Sequence, residues 1–147
     1  MKWLGGILMQ KEDTDMSNEY KDYIRDLREV FDAKTAMLDC LPKGWVKTFI
    51  PQMKAELFEA LGNCVENWCL IDAKEKYGVL RVYWCWDMER YDEIASDQEV
   101  LYDHIERVIE KYSKLSFRTC AICGESAMCV EDLPLCAKCY KNVKIFV

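Results

Sequence analysis

Histidine is nearly missing from this 147-residue chain, with His104 the only one. It falls at the flank of a predicted helix, with no serine or cysteine nucleophile in a recognisable elbow nearby, so nucleophile–base catalysis has little to build on. Glycine is sparse too, at six residues, and none sits in a phosphate-cradling loop of the Walker or dinucleotide-binding type. No apolar stretch is long enough to span a bilayer. Residues 1–9 hold one lysine and a short apolar run broken by Gly5-Gly6, with no small-residue cleavage site, which argues against a secretory leader. Basic charge is also short: 20 Lys and Arg against 26 Asp and Glu give a net charge of -6. Phosphate backbones and anionic membrane surfaces repel such a chain, so nucleic acid is disfavoured as the main partner, a membrane is not expected, and another protein is.

Cysteine, by contrast, is abundant. Nine of them in a chain without a leader point to a cytoplasmic setting, where thiols stay reduced and paired cysteines hold metal. Apolar residues make up 51% of the chain and charged ones 31%, with five tryptophans and eight tyrosines, enough for one core of globular type.

Periodicity divides the chain into three parts. Residues 1–16 lack a pattern and read as a flexible or loosely docked arm. Residues 17–116 read as a body of helices and a hairpin. Its first helix is capped at Ser17 or Asn18, carries Tyr20, Ile24, Leu27 and Phe31 on one face, and ends at Pro42 and Gly44. A second amphipathic segment, residues 45–61, aligns Trp45, Phe49, Met53, Leu57 and either Ala60 or Leu61. Pro51 either starts its helix or kinks it, and Gly62-Asn63 stops it. The period then changes to two. Residues 68–73 and 79–86 read as the arms of a β-hairpin with residues 74–78 between them, and Leu80, Val82, Trp84 and Trp86 form the apolar face. An acidic loop (Asp87, Glu89, Asp92, Glu93, Asp97) follows, whose spacing does not fit a calcium loop. Ser96 and Glu99 then form a capping box, and Leu101, Ile105, Val108, Tyr112 and Leu115 mark a third buried helical face.

Residues 117–147 read as a zinc-binding element. Cys120-Ala-Ile-Cys123-Gly124 and Cys136-Ala-Lys-Cys139 are two Cys-x-x-Cys pairs, and two residues between thiolates let both sulfurs reach one ion. Two such pairs on a hairpin-sized spacer give a closed tetrahedral site, expected to hold one structural zinc ion. Iron is the competing metal, since four thiolates also suit it. A catalytic zinc keeps a position open, so a four-thiolate site argues against an enzyme. Cys129 is a spare thiol or substitute ligand. Cys40, Cys64, Cys69 and Cys85 read as small buried hydrophobes, with Cys64 and Cys69 a weak second metal pair. Lys74, Lys76 and Arg81, with Tyr77 and Tyr83 beside them, form the one basic patch, a candidate surface for a partner or for nucleic acid.

The run Lys74-Glu75-Lys76-Tyr77-Gly78-Val79-Leu80-Arg81-Val82-Tyr83, followed by a helix and then Ser116-Phe-Arg-Thr119-Cys120-Ala-Ile-Cys123-Gly124, resembles the joined motifs of a family of small zinc-ribbon-like proteins from bacteria and their phages. Gly44-Trp45 is similar to that family's upstream element. The resemblance spans about residues 42–139. It implies a zinc-ribbon or short treble-clef end on a helix-plus-hairpin body, and no activity. Members often carry histidine where this chain has Cys139, and Gly-Trp where it has Leu133-Pro134. The expected fold is therefore α+β: helices packed on a β-hairpin, with a C-terminal four-cysteine element. The expected function is a non-enzymatic protein-binding module of phage or mobile-element origin acting on a host factor, for example as a defence inhibitor. The alternative is a nucleic-acid binder using the Lys74–Arg81 patch. If the third helix folds back, Arg81 and the lysines should stand beside the metal, where they would offset a charge of about -2 on a four-thiolate zinc.

Overall fold

The computed structural model of the protein describes residues 14–87, 98–130 and 132–145. Its elements are helices α1 (Thr14–Lys34), α2 (Lys43–Thr48) and α3 (Ile50–Leu61), strands β1 (Trp68–Lys76) and β2 (Val79–Trp86), and helix α4 (Gln98–Ser116). Strands β3 (Met128–Val130) and β4 (Leu133–Leu135) and helix α5 (Ala137–Ile145) complete the chain. The fold is thus α+β, with a two-stranded hairpin in the body and four cysteines gathered at its C-terminal end.

Helix α1 differs from the sequence expectation at both ends. It begins at Thr14, so Ser17 and Asn18 lie inside it rather than capping it. It stops at Lys34, well before Pro42. Thr35 turns its hydroxyl onto the Phe31 carbonyl at 2.8 Å, and the chain tightens into a 3-10 turn over Ala36–Cys40 that buries Leu38. Such back-bonding competes with further helix. Leu27 and Phe31 are buried as the periodicity predicts, whereas Tyr20 is exposed. The Lys34 ammonium donates to three carbonyls, Val65 at 3.0 Å, Glu66 at 3.1 Å and Trp68 at 2.6 Å, tying the end of α1 to the start of β1.

The second amphipathic segment is two helices rather than one. Phe49 leaves helical geometry (φ -130°), and Pro51 falls in the first turn of α3, where its missing N–H costs nothing. Gly44 lies inside α2 instead of ending α1. The predicted stripe survives the break, with Trp45, Phe49, Met53, Leu57 and Leu61 all buried. Gly62, at φ 55°, ends α3 as expected.

The hairpin is tighter than the sequence suggests. Lys74 to Lys76 are strand, paired with Arg81 to Val79, and the turn is only Tyr77-Gly78. Both turn residues have positive φ (55° and 83°), as a two-residue turn that matches strand twist requires. The Glu75 carboxylate accepts the Gly78 N–H at 2.8 Å, which gives the Glu-x-x-Gly part of the motif a structural cause. Leu80 and Trp86 are buried and Val82 and Trp84 half-buried on the inner face, while Arg81, Tyr83 and Cys85 face out. A bulge between Leu70 and Asp72 leaves Ile71 unpaired and exposed.

Helix α4 lies against β2 and α3. Ile105, Val108, Ile109 and Tyr112 are buried, but Leu115 is 39% exposed and leaves the predicted face. Phe31 stacks near Trp68 (6.0 Å between ring centres) and Phe49 near Tyr112 (5.9 Å), so aromatic rings join all the body elements in one core. Ser96 and the acidic loop from Glu89 to Asp97 lie outside the described residues, as do residues 1–13. Among the described residues, no helix is long and apolar enough to cross a membrane.

Tyr112 donates its phenol to the Glu56 carboxylate, which also accepts from Lys111 at 2.9 Å. These two donors, the Tyr112 hydroxyl first, hold the Glu56 carboxyl below its ordinary 4.5. A carboxyl with a depressed folded value stabilises the fold above its unfolded value, and that contribution is lost as the pH falls. Wild type should therefore exceed Glu56→Gln in thermal midpoint at neutral pH, with the gap closing below about 4.5. Lys34→Met, which strips three carbonyls of a charged donor, should cost about 1.5–3 kcal/mol in urea unfolding.

Candidate metal centre

Helix α4 delivers the chain to the first knuckle with two serines and a threonine. Ser116 Oγ accepts the Leu80 N–H at 2.9 Å and donates to the Ser113 carbonyl at 2.6 Å, and Ser113 Oγ donates to the Leu80 carbonyl at 3.0 Å. The outer edge of β2 is thereby fastened to the end of α4. Thr119 Oγ1 donates to the Leu115 carbonyl at 2.8 Å and helps end the helix. The knuckle itself is closed by Cys120 N–H onto the Glu125 carbonyl (2.7 Å) and Gly124 N–H onto the Cys120 carbonyl (3.0 Å). Gly124 has φ 88°, a conformation that favours glycine.

Cys136 and Cys139 come from a different local structure. The chain passes through the β3–β4 hairpin and enters α5, whose first turn holds Cys139, with Cys136 just before it. The Cys139 N–H donates to the Cys136 sulfur at 3.4 Å. Knuckle, hairpin and helix bearing the second pair make a treble-clef arrangement rather than a ribbon with two knuckles. A helix N-terminus favours thiolate through its free N–H groups and dipole.

The four predicted residues do come together. The sulfurs of Cys120, Cys123, Cys136 and Cys139 all lie within 4.8 Å of one another, and those of Cys123 and Cys136 are 3.6 Å apart. A tetrahedral ion with sulfur bonds of about 2.3 Å requires sulfurs about 3.8 Å apart, so this set could hold a metal ion. Among the described residues it is the only such group of three or more. The thiols are unequal. Burial pushes the Cys120 thiol up, but backbone N–H groups of Cys123, Cys136 and Ile122 outweigh it and bring it down to about 6. Burial and the neighbouring sulfurs push Cys139 up to about 12. The Glu125 N–H favours thiolate at Cys123, yet burial and the sulfurs of Cys136 and Cys120 leave it raised. Four sulfurs this close cannot all ionise unless a cation joins them.

What sequence reasoning missed is how this element meets the body. The Gly44 N–H donates to the Ala121 carbonyl at 2.8 Å, the Trp45 indole to the Thr119 carbonyl at 2.9 Å, and Thr48 Oγ1 to the Gly124 carbonyl at 3.3 Å. A Cβ on Gly44 would sit 2.0 Å from the Cys120 carbonyl oxygen, and one on Gly124 would sit 2.0 Å from Thr48 Oγ1. Helix α2 is therefore pressed backbone to backbone on the knuckle. The Gly44-Trp45 pair was the available signal, but a sequence cannot say which distant loop a glycine serves. No protein-family profile, curated protein or solved structure matches this chain.

The other predicted site residues fall elsewhere. Arg81 instead lines a groove of about 470 Å³ with Asp103, Glu106 and Glu110 of α4. Lys74, Lys76, Tyr77, Arg81 and Tyr83 are all exposed at one end of the hairpin, with Lys74 directly across from Arg81. His104 is exposed on α4. Cys129 pairs with Pro134 in the β3–β4 hairpin, and its side chain lies outside the described residues. The expectation of four buried hydrophobes at Cys40, Cys64, Cys69 and Cys85 is overturned, because Cys40 and Cys85 are exposed and Cys64 and Cys69 half-buried.

Gly44→Ala should force α2 off the knuckle, lower stability by about 1–3 kcal/mol and speed metal transfer to a chromogenic chelator several-fold. Loading the metal-free protein with Zn²⁺ at neutral pH should release protons into weakly buffered solution, because thiols must ionise to bind. Unchanged pH on loading would remove the four-thiolate assignment.

Proposed function

We propose that the protein is a non-enzymatic binding module in which one structural zinc ion, held by Cys120, Cys123, Cys136 and Cys139, keeps the C-terminal element docked on the body. The observation that carries this reading is the closeness of the four sulfurs in an element that packs on α2. With all four positions taken by thiolate, the ion has no vacancy for substrate or water, which favours a staple over a catalyst. An element this small gains folding free energy from its metal, on the order of 10 kcal/mol in apparent terms. Zinc is favoured over iron by the closed tetrahedral set, and elemental analysis distinguishes them. One zinc per chain is expected, without the visible absorption of an iron–thiolate centre.

The partner is another protein, bound on the outer face of the hairpin. That face exposes Ile71, Tyr77 and Tyr83 beside Lys74, Lys76 and Arg81. Aromatic residues and arginine are enriched where proteins bind one another, and the cations select an acidic surface. The resemblance in the hairpin and knuckle motifs supports a phage or mobile-element protein acting on a bacterial host factor, for example as a defence inhibitor. The expected result is a stoichiometric host protein that co-purifies from bacterial lysate after nuclease treatment. Tyr83→Ala with Arg81→Glu should lose that protein while keeping its zinc. Co-purification unchanged by both substitutions would move the interface elsewhere.

A second reading, nucleic-acid binding, is favoured by one observation: Lys74 stands across from Arg81 and its ammonium lies 5.8 Å from the Tyr83 ring centre. It requires retention on DNA or RNA that weakens with salt, by a log–log slope of about -0.9 for each phosphate neutralised on duplex DNA. A mobility shift absent at low salt eliminates it.

A further inference from the structure

The outer face of the hairpin carries a second pair of sulfurs. Cys69 and Cys85 are direct cross-strand partners, one row in from the pair Trp68–Trp86. Directly paired residues on antiparallel strands project to the same side of the sheet. Trp68 and Trp86 are buried, so Cys69 and Cys85 point away from the core, and Cys85 is exposed while Cys69 is half-buried. The Asp87 N–H donates to the Asn67 carbonyl at 2.6 Å. That makes residues 67 and 87 a hydrogen-bonded pair, and Cys69–Cys85, two residues further along, falls in the same class. Cα atoms in such pairs are about 5.5 Å apart, inside the span of about 4.4–6.8 Å that a disulfide bridges. Burial first, then the charge of Cys69 and Asp87 and a hydrogen bond with Cys69, raise the Cys85 thiol, as expected for two sulfurs in contact. Cys40 and Cys64 lie in 3-10 turns rather than in strands.

We propose that Cys69 and Cys85 are an oxidative modification site, converted by a small-molecule disulfide into a reversible cross-strand disulfide. One protein thiolate attacks the small disulfide, breaking its sulfur–sulfur bond and expelling one small thiolate. The second protein thiolate then attacks the mixed disulfide and expels the other. Two protein thiols lose two electrons and two protons, and one small disulfide becomes two small thiols. The four clustered cysteines differ in kind, because a bound ion would occupy their sulfurs. The bridge would clamp the open end of the hairpin, where Trp68 and Trp86 enter the core, and would do so whether or not the face binds a partner.

The test uses the full chain loaded with zinc and treated with oxidised glutathione. Non-reducing digestion at Lys74, Lys76 and Arg81 separates the two cysteines. The disulfide therefore registers as two linked peptides, with a mass lower by two hydrogens, that a reductant splits. Cys64 shares a tryptic peptide with Cys69, so Cys64→Ser must leave the link intact while Cys69→Ser and Cys85→Ser each abolish it. Retained zinc stoichiometry shows that the variants are folded. The oxidised protein should unfold at a higher temperature than the reduced one, a difference missing in Cys85→Ser. Stable glutathione adducts on both cysteines without a link, or a link through Cys64, a cluster cysteine or a second chain, would overturn the proposal.

Discussion

Helix α2 and the first cysteine knuckle meet backbone against backbone at Gly44, with the short Thr48 side chain laid on Gly124. The Cys120 carbonyl oxygen occupies space that a Cβ on Gly44 would need, and the Thr48 hydroxyl does the same to Gly124. Two glycines, far apart in sequence, thus let one backbone rest on another, and a hydrogen bond from Gly44 to Ala121 fixes the register. Trp45, on the same short helix, is fully buried in the main core while its indole reaches the Thr119 carbonyl. The four-cysteine element is consequently docked on the body through backbone contacts. An ion that ordered the knuckle would also hold α2, and through it the stripe that runs on to Leu61.

A second junction works through hydroxyls. Ser113 and Ser116 satisfy both backbone groups of Leu80, so the hairpin and the end of α4 move as one piece. Residues that look like a signature for chemistry are thereby assigned to architecture: Glu75 holds the Gly78 N–H, Ser116 holds Leu80, and Thr119 ends the helix. What architecture leaves over is the outer face of the hairpin, with its cations, its two tyrosines and its pair of sulfurs. Function on this molecule has to be sought on surfaces that the fold does not need.

The thiols show how much environment decides. Cys120 is brought down by backbone donors and Cys139 is pushed up by burial and its neighbours, though they sit in one cluster. Cys69 and Cys85, read from local hydrophobicity as buried, are set outward by strand pairing. Residue type alone gives no hint of this division.

Elements whose signal is local were legible in the order of residues alone. Alternation marked the inner face of β2 because one side of a hairpin must leave water. The fourfold spacing from Trp45 marked a helical stripe, and two Cys-x-x-Cys pairs announced a cluster of four sulfurs because their reach is set within each short turn. Long-range packing settled where α1 ends, since Thr35 and Lys34 act through partners that include residues some thirty positions away. It also decided that the second pair sits at the start of a helix, that Gly44 serves the knuckle rather than ending α1, and that Arg81 lines a groove beside α4. Each of these depends on contacts between segments distant in sequence, and a pattern of nearby residues carries no record of which distant backbone will come to rest against it.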